Sequence, residues 1–314
     1  MKIYEDASGV RLKERSRAIA IGVFDGVHRG HRKILRQMLR HSRRFGLVPM
    51  AVTFDPHPLK VLARPKKHEA LMSLSHRLRL FEKMGIAETF VIRFTRAFSG
   101  MSRGRFLSDL LLGRLGLGAL SVGYDFRFGR GGLGDLEFLR KESRERKFHF
   151  SASKPLKVAG RIISSTEIRR LIVSGDLRMA SRMLGRPVSV YGTVIHGRGR
   201  GGRRGFPTAN LNPHHETIPP AGVYAVRGDL GGRWVEGVLH IGPRPTYDDR
   251  QRSVEVHFLN FSQGLYGKDV ELVFLKKLRP IRKFKDPLEL AQAIKKDILR
   301  AGRLFTLQKS FLQV

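Results

Sequence analysis

Apolar positions fall into two textures along the 314-residue chain. In the first, short apolar runs alternate with stretches whose apolar residues recur at helical spacing. Ala18–Phe24 predicts a strand, and Gly30–Phe45 a helix with Ile34, Leu35, Met38 and Leu39 on one face. Val48–Phe54 predicts a second strand, ended by the breakers Asp55-Pro56-His57-Pro58. Ser75–Met84 and Phe106–Leu112 read as helices, and Thr89–Phe94 and Ala119–Gly123 as strands. This alternation predicts a parallel sheet covered by helices.

The texture changes near Leu184-Gly185-Arg186-Pro187. Beyond it come short β-branched runs at Val188–Ile195, Val223–Arg227, Val235–Ile241, Val254–Phe261 and Val270–Leu275, punctuated by Gly and Pro. These predict an antiparallel sheet or small barrel, closed by a helix over Pro287–Leu299. The expected architecture is α/β: a Rossmann-like parallel-sheet domain over residues 1–184 and an antiparallel β-barrel domain with a terminal helix over 185–314.

Composition narrows the chemistry. There is no cysteine, which excludes disulfides and thiolate metal sites. The most apolar stretch, residues 106–123, is broken by Asp109, Arg114 and glycines, so no membrane span is expected. The charged N-terminal segment does not resemble a signal peptide. The chain therefore reads as soluble and cytoplasmic. Its net charge of +33 favours anionic partners. Basic residues spread over both halves without a detachable tail, so a compositional bias toward arginine accounts for it. Nonspecific polyanion binding at low salt is expected, specific nucleic-acid recognition is not.

Two stretches carry candidate chemistry. Gly22-Val23-Phe24-Asp25-Gly26-Val27-His28-Arg29-Gly30-His31 lies where a strand hands over to a helix, the usual place for nucleotides in an open parallel sheet. Free amides and the helix dipole there favour phosphate. Gly26 and Gly30 allow close backbone approach. His28 and His31 can face one phosphate and stabilise its developing charge. A metal pair or capping histidines are the alternatives, the former disfavoured by the absence of neighbouring acids. Further along, residues 197–205 read Gly-Arg-Gly-Arg-Gly-Gly-Arg-Arg-Gly and run into Phe206-Pro207-Thr208-Ala209-Asn210. The glycine amides can form an anion nest. An RNA-binding Arg-Gly tract is the alternative, although such tracts are longer and not bounded by strands.

The ten-residue string resembles the nucleotidyltransferase motif of prokaryotic bifunctional riboflavin kinase/FMN adenylyltransferases, or FAD synthetases. Thr53-Phe54-Asp55-Pro56-His57-Pro58, Val122-Gly123-Tyr124-Asp125-Phe126-Arg127-Phe128-Gly129 and Ile163-Ser164-Ser165-Thr166-Glu167-Ile168-Arg169 resemble that family in the expected order. The resemblance implies a nucleotidyltransferase first domain and a riboflavin-kinase-like barrel. It implies that His28 and His31 act on the α-phosphate of ATP. Gly22, Phe24, Asp25, Gly26 and Gly30 would line the nucleotide site, and Ser165, Thr166 and Arg169 would hold the outer phosphates. Taken alone, Ser-Ser-Thr before Glu-Ile-Arg is a helix N-cap. Phe54, Pro56, His57, Asp125, Phe126 and Phe128 form the candidate flavin-facing group; core packing explains many of these phenylalanines equally well.

In the second domain the resemblance makes Gly197, Gly199, Gly205 and Phe206 an ATP loop. It places Thr208 and Asn210 at Mg²⁺ and makes Glu255 the base for the ribityl hydroxyl of riboflavin. Without it, Glu255 is a strand glutamate facing solvent. ATP is then co-substrate, and riboflavin, FMN and FAD are substrates or products. Some positions depart from the family pattern: Gly202, Arg204, His240, Gly264 and Ile281, with Ala301-Gly302-Arg303 leaving one flavin-contacting arginine unassigned. None of these departures falls at Thr208, Asn210 or Glu255. The alternatives are an active adenylyltransferase with a weakened kinase, and a non-catalytic basic nucleic-acid-binding protein.

Overall fold

The structure, a computed structural model, describes residues 1–5, 16–62, 70–196, 206–214, 217–243, 252–261 and 263–309. By internal contacts the chain divides into two units, Met1–Glu167 and Ile168–Val314.

In the first unit, six strands pair in the order β1-β4-β3-β2-β5-β6, all parallel. They are β1 (Lys2–Tyr4), β2 (Arg17–Ile21), β3 (Val48–Asp55), β4 (Glu88–Arg93), β5 (Leu117–Gly123) and β6 (His149–Ser153). Every residue of β2 is buried, as a central parallel strand requires. Its two faces differ in size. Ile19 and Ile21 join a large cluster with Met50, Val52 and Leu120, while Ala18 and Ala20 face Leu35 and Met38 of α1 (Arg29–Phe45). Alanines on that side let the helix approach the sheet closely.

The predicted strands and helices of this half are present, with ends shifted by a few residues. The largest difference is at Phe24, expected at a strand end. β2 stops at Ile21, and Phe24 takes a left-handed φ of 53° while its ring is fully buried. A hydrophobic residue in a turn mimics strand continuation. After α2 (Pro58–Leu62) and α3 (Leu74–Lys83), short turns α4 (Arg96–Ser99) and α5 (Arg103–Arg105) lead into a π-helix at Phe106–Arg114. Then come α6 (Leu136–Glu145) and a small hairpin, β7 (Lys157–Val158) and β8 (Arg161–Ile162). The helix α7 (Ser165–Ser174) runs across the division, and α8 (Leu177–Leu184) follows.

The second unit is a closed barrel in the order β10-β13-β12-β11-β14-β9. Its strands are β9 (Ser189–Ile195), β10 (Ala209–Pro213), β11 (Gly222–Asp229), β12 (Trp234–Pro243), β13 (Arg252–Phe258) and β14 (Asp269–Arg279). Closure leaves no open edge. Along β13, Val254, Val256 and Phe258 are buried, and Ser253, Glu255 and His257 point the other way. The terminal helix α9 (Pro287–Lys309) is longer than its predicted extent; Ala301 and Phe305 pack on Val223, Ala225 and Val238 of the barrel wall. That extra length is invisible to a reading that stops at the last charged turn.

Candidate active sites

The first site begins where β2 ends. Between it and α1 the backbone makes a tight turn, with positive φ at Phe24, Gly26 and Val27. Gly26, at φ 87°, occupies a conformation that favours glycine. His28 caps α1: its Nδ1 accepts the His31 backbone N–H at 3.2 Å. This brings the two imidazoles into a stack, with centroids 3.5 Å apart and planes 16° from parallel. Gly30 permits it, because a Cβ there would lie 3.1 Å from His28 Cε1. Capping and catalytic readings of the pair are therefore compatible; the cap fixes the rings at the helix N-terminus.

Asp25 is buried, and its carboxylate accepts the backbone N–H groups of Leu71, at 2.8 Å, and Met72. Its role is to lock the turn, not to face solvent. Its carbonyl accepts the Ser165 hydroxyl at 2.8 Å, so the chain's distant serine does reach the motif turn. Ser164 caps α7 by accepting the Glu167 N–H. Thr166 is exposed, and Arg169 lies one turn further along α7.

Beside the turn opens a cavity of about 810 Å³. Gly22, Phe24, His31, Phe54, Asp125, Phe126 and Phe128 all line it, whereas Pro56 and His57 do not. Pro56 and His57 instead belong to the turn into α2, where His57 Nδ1 accepts the Leu59 N–H. Sequence reading missed Phe94, Phe98, Met101 and Phe106, which complete the wall. Ring contacts run without a break from Phe54 through Phe94, Phe98, Phe106 and Phe128 to Phe126. The spread of phenylalanines over four segments hid this grouping from any local motif. The cavity's far lip is a glycine loop. Gly129 has φ 70°, and a Cβ there would stand 2.7 Å from the Arg103 backbone nitrogen. Gly129→Ala is expected to destabilise this unit by about 1–3 kcal/mol and to raise the KM for FMN, measured by thermal unfolding and initial rates.

Arg77 is the other residue that sequence reading missed. It is buried on α3, and its guanidinium donates to Thr53 Oγ1 at 2.7 Å and to the Phe54 carbonyl. Thr53 in turn donates to the Val23 carbonyl, which ties β3 to the turn. Asp25 and Asp55 favour its charge, against the cost of burial. Its signal in sequence, one arginine in a basic amphipathic helix, is indistinguishable from its exposed neighbours.

Burial pushes the pKa of His31 well below the usual imidazole value, and the charges of His28 and Arg77 add to this. His31 is therefore neutral at pH 7. The unfolded chain binds more protons there below about pH 6.5, so this group's contribution to stability is complete above that pH and is lost as pH falls toward the folded value. Arg77→Met removes one cause of the depression. The acid limb of FAD formation is expected to move upward in pH in this variant, and a pH–rate profile from 5 to 9 reads it.

The second site lies on the outer face of the barrel. Asn210 on β10 pairs directly with Glu255 on β13, which pairs with His240 on β12. The three half-buried side chains thus form one row across three strands, at the usual cross-strand spacing of about 5 Å. Thr208 immediately precedes β10. Burial lowers the His240 pKa, opposed by the Glu255 charge and assisted by Arg279. His240, noted in sequence only as a departure, is a direct neighbour of Glu255. Phe206 sits edge-on to His257 at 5.9 Å. Gly197, Gly199 and Gly205 lie outside the described residues. Among the described residues no cluster of three His, Asp or Glu side chains could hold a metal by itself. Hydroxyl and amide oxygens at Thr208 and Asn210 are the hard donors that suit Mg²⁺ shared with phosphate.

A histidine-capped turn at the carboxyl edge of a parallel sheet, carried in one chain with a closed barrel, defines a two-unit nucleotide-dependent transferase. The FAD synthetase family model matches residues 11–167, and the riboflavin kinase model residues 184–305. The bifunctional riboflavin kinase/FMN adenylyltransferase of Escherichia coli K12 is 37% identical over 292 residues, covering 93% of each chain. Its Bacillus subtilis 168 counterpart is 33% identical over 302 residues, 95% of each. A solved structure described as a macrolide-efflux protein from Streptococcus pneumoniae has a TM-score of 0.80 at 25% identity, over 94% of this chain and 96% of that one. Among the described residues no helix is long and apolar enough to cross a membrane. The chain belongs to the bifunctional riboflavin kinase/FMN adenylyltransferase family.

Proposed function

We propose that the chain makes FMN from riboflavin and ATP on its barrel, then FAD from FMN and a second ATP on its parallel-sheet unit. We put the domain boundary at 184/185, a choice supported by the riboflavin kinase match starting at residue 184. The observation that supports the reading is the stacked histidine pair, whose His31 lines a cavity walled by phenylalanines.

In the adenylyl transfer, an FMN phosphate oxygen bonds to the α-phosphorus of ATP as the bond to the β-phosphate oxygen breaks, releasing pyrophosphate. The nucleophile is already an anion, so no protein base is needed. Positioning and charge stabilisation carry the rate. The amides at the start of α1 and the two imidazoles face the α-phosphate. His31 Nδ1, buried and without a hydrogen-bond partner among the described residues, is one site for a substrate group to complete. Ser165, Thr166 and Arg169 hold the outer phosphates. Phe54, Phe126 and Phe128 stack against the isoalloxazine, and Asp125 accepts from its polar edge.

In the kinase, Glu255 takes the proton of the ribityl hydroxyl as that oxygen attacks the γ-phosphorus and ADP leaves. Thr208 and Asn210 would hold Mg²⁺, which neutralises phosphate charge when bound. The glycine loop ending at Phe206 holds the ATP phosphates. The neutral His240 beside Glu255 supplies hydrogen-bonding capacity in place of an amide, which favours a working kinase over a weakened one.

Purified protein given riboflavin, ATP and Mg²⁺ is expected to yield FMN and FAD on chromatography. Riboflavin left unchanged while added FMN becomes FAD would reject the kinase half.

A further inference from the structure

Helix α1 carries seven Lys and Arg residues and no acid over its 17 positions. At 100° per residue, Arg36, Arg40, Arg43 and Arg44 fall on one side of the helix, continued toward the N-terminus by Arg32 and Lys33. Ile34, Leu35 and Met38 take the opposite, buried side. Arg36, Arg40, Arg43 and Arg44 are exposed, and none forms an ion pair with a described residue. A general arginine bias does not explain this. The equally exposed helix α6 alternates its charges and closes ion pairs, Lys141–Glu145 and Arg146–Glu142. On α1 no acid interrupts the cations, and burial, then the Arg36 charge, holds Arg32 below the usual guanidinium range. At the C-terminal end of the stripe, exposed His149 stacks on Phe45 at 3.7 Å, with Arg44 5.3 Å from the same ring.

We infer that the outer face of α1 is a binding surface for the phosphate backbone of single-stranded nucleic acid, independent of base sequence. Guanidinium groups recur along it about every 5 Å, from the helical rise, and match phosphate in shape and charge. A stacked ring at the end of a cationic track is the combination that holds single strands. No large apolar side chain is exposed on α1. The face therefore offers nothing to insert into a bilayer's headgroup region, and purely electrostatic attraction to an anionic leaflet is what the vesicle arm of the test reads.

The test uses the full chain and fluorescent twelve-nucleotide poly-U RNA and poly-T DNA, with and without saturating ATP. Anisotropy at 50 and 200 mM salt is expected to show about a hundred-fold loss of affinity, from a slope near −0.7 per neutralised phosphate and four to six contacts. Arg36→Gln/Arg40→Gln/Arg43→Gln should weaken binding at least ten-fold, flatten the salt slope by about 2 and leave FAD formation unchanged. The control Arg140→Gln/Lys141→Gln/Arg144→Gln on α6 removes the same charge and should change affinity less than three-fold. RNA and DNA binding equally supports backbone recognition. An equal loss in both triple variants, displacement by ATP, or α1-dependent binding to phosphatidylserine vesicles without oligonucleotide binding would overturn the inference.

Discussion

Replacing His28 with alanine is expected to lower FAD formation from FMN by about 10²–10³-fold, the cost of removing one group aimed at developing phosphate charge. Two losses combine in this variant. The ring leaves the proposed α-phosphate site, and Nδ1 no longer accepts the His31 N–H that caps α1. A missing cap costs about 1 kcal/mol of helix stability, too little to unfold a unit with two hydrophobic clusters on its sheet. His28→Asn separates the effects, because asparagine restores a cap but not the imidazole. Its thermal transition should approach that of the parent while its rate stays low. Riboflavin phosphorylation should be unaffected in both. Full FAD formation in His28→Ala would remove the histidine pair from the mechanism.

The second large effect is expected at Glu255. Glu255→Gln keeps the size and hydrogen bonding of the side chain but cannot accept a proton at neutral pH. FMN formation should fall by about 10²–10⁴-fold, the usual contribution of a general base. FAD formation from supplied FMN should be largely intact, because no base is needed when the nucleophile is a phosphate. Glu255 stands in the row between Asn210 and His240, so a shape-preserving change leaves the barrel pairing in place. Equal suppression of both activities, or of neither, would contradict the assignment.

Much of the fold was legible because its periodicities are strong. The apolar stripe of α1, the run in β2 and the alternation in β13 each pass directly from sequence to buried face. Local residues also marked the His28–His31 turn, since a cap, two glycines and a helix start lie within a few positions. What stayed hidden was non-local. The aromatic wall draws on β3, the segments after β4, the π-helix and the turn after β5, and no window along the chain holds them together. Arg77 was hidden differently: its burial follows from how α3 packs, and nothing in the sequence separates it from the half-buried Arg79 or the exposed Lys83 on the same helix. Pro56 and His57 show the reverse case. They adjoin Phe54 in sequence, but the turn leaves both off the cavity wall, which Pro58 and Leu62 of α2 rejoin.

His240 shows a similar limit. In sequence it was a departure from a pattern; in the barrel it is the cross-strand neighbour of the candidate base. Register supplies that information, because one residue of slip would send His240 to the barrel interior.

The central claim is that one chain performs two transfers on one flavin, from different phosphorus atoms of ATP. Labelled ATP tests it most directly. With riboflavin and γ-³²P ATP, the label should enter FMN and pass on into FAD. With α-³²P ATP, it should enter FAD alone, leaving FMN unlabelled. Label from α-³²P ATP in FMN, or its absence from every flavin product, would contradict the account.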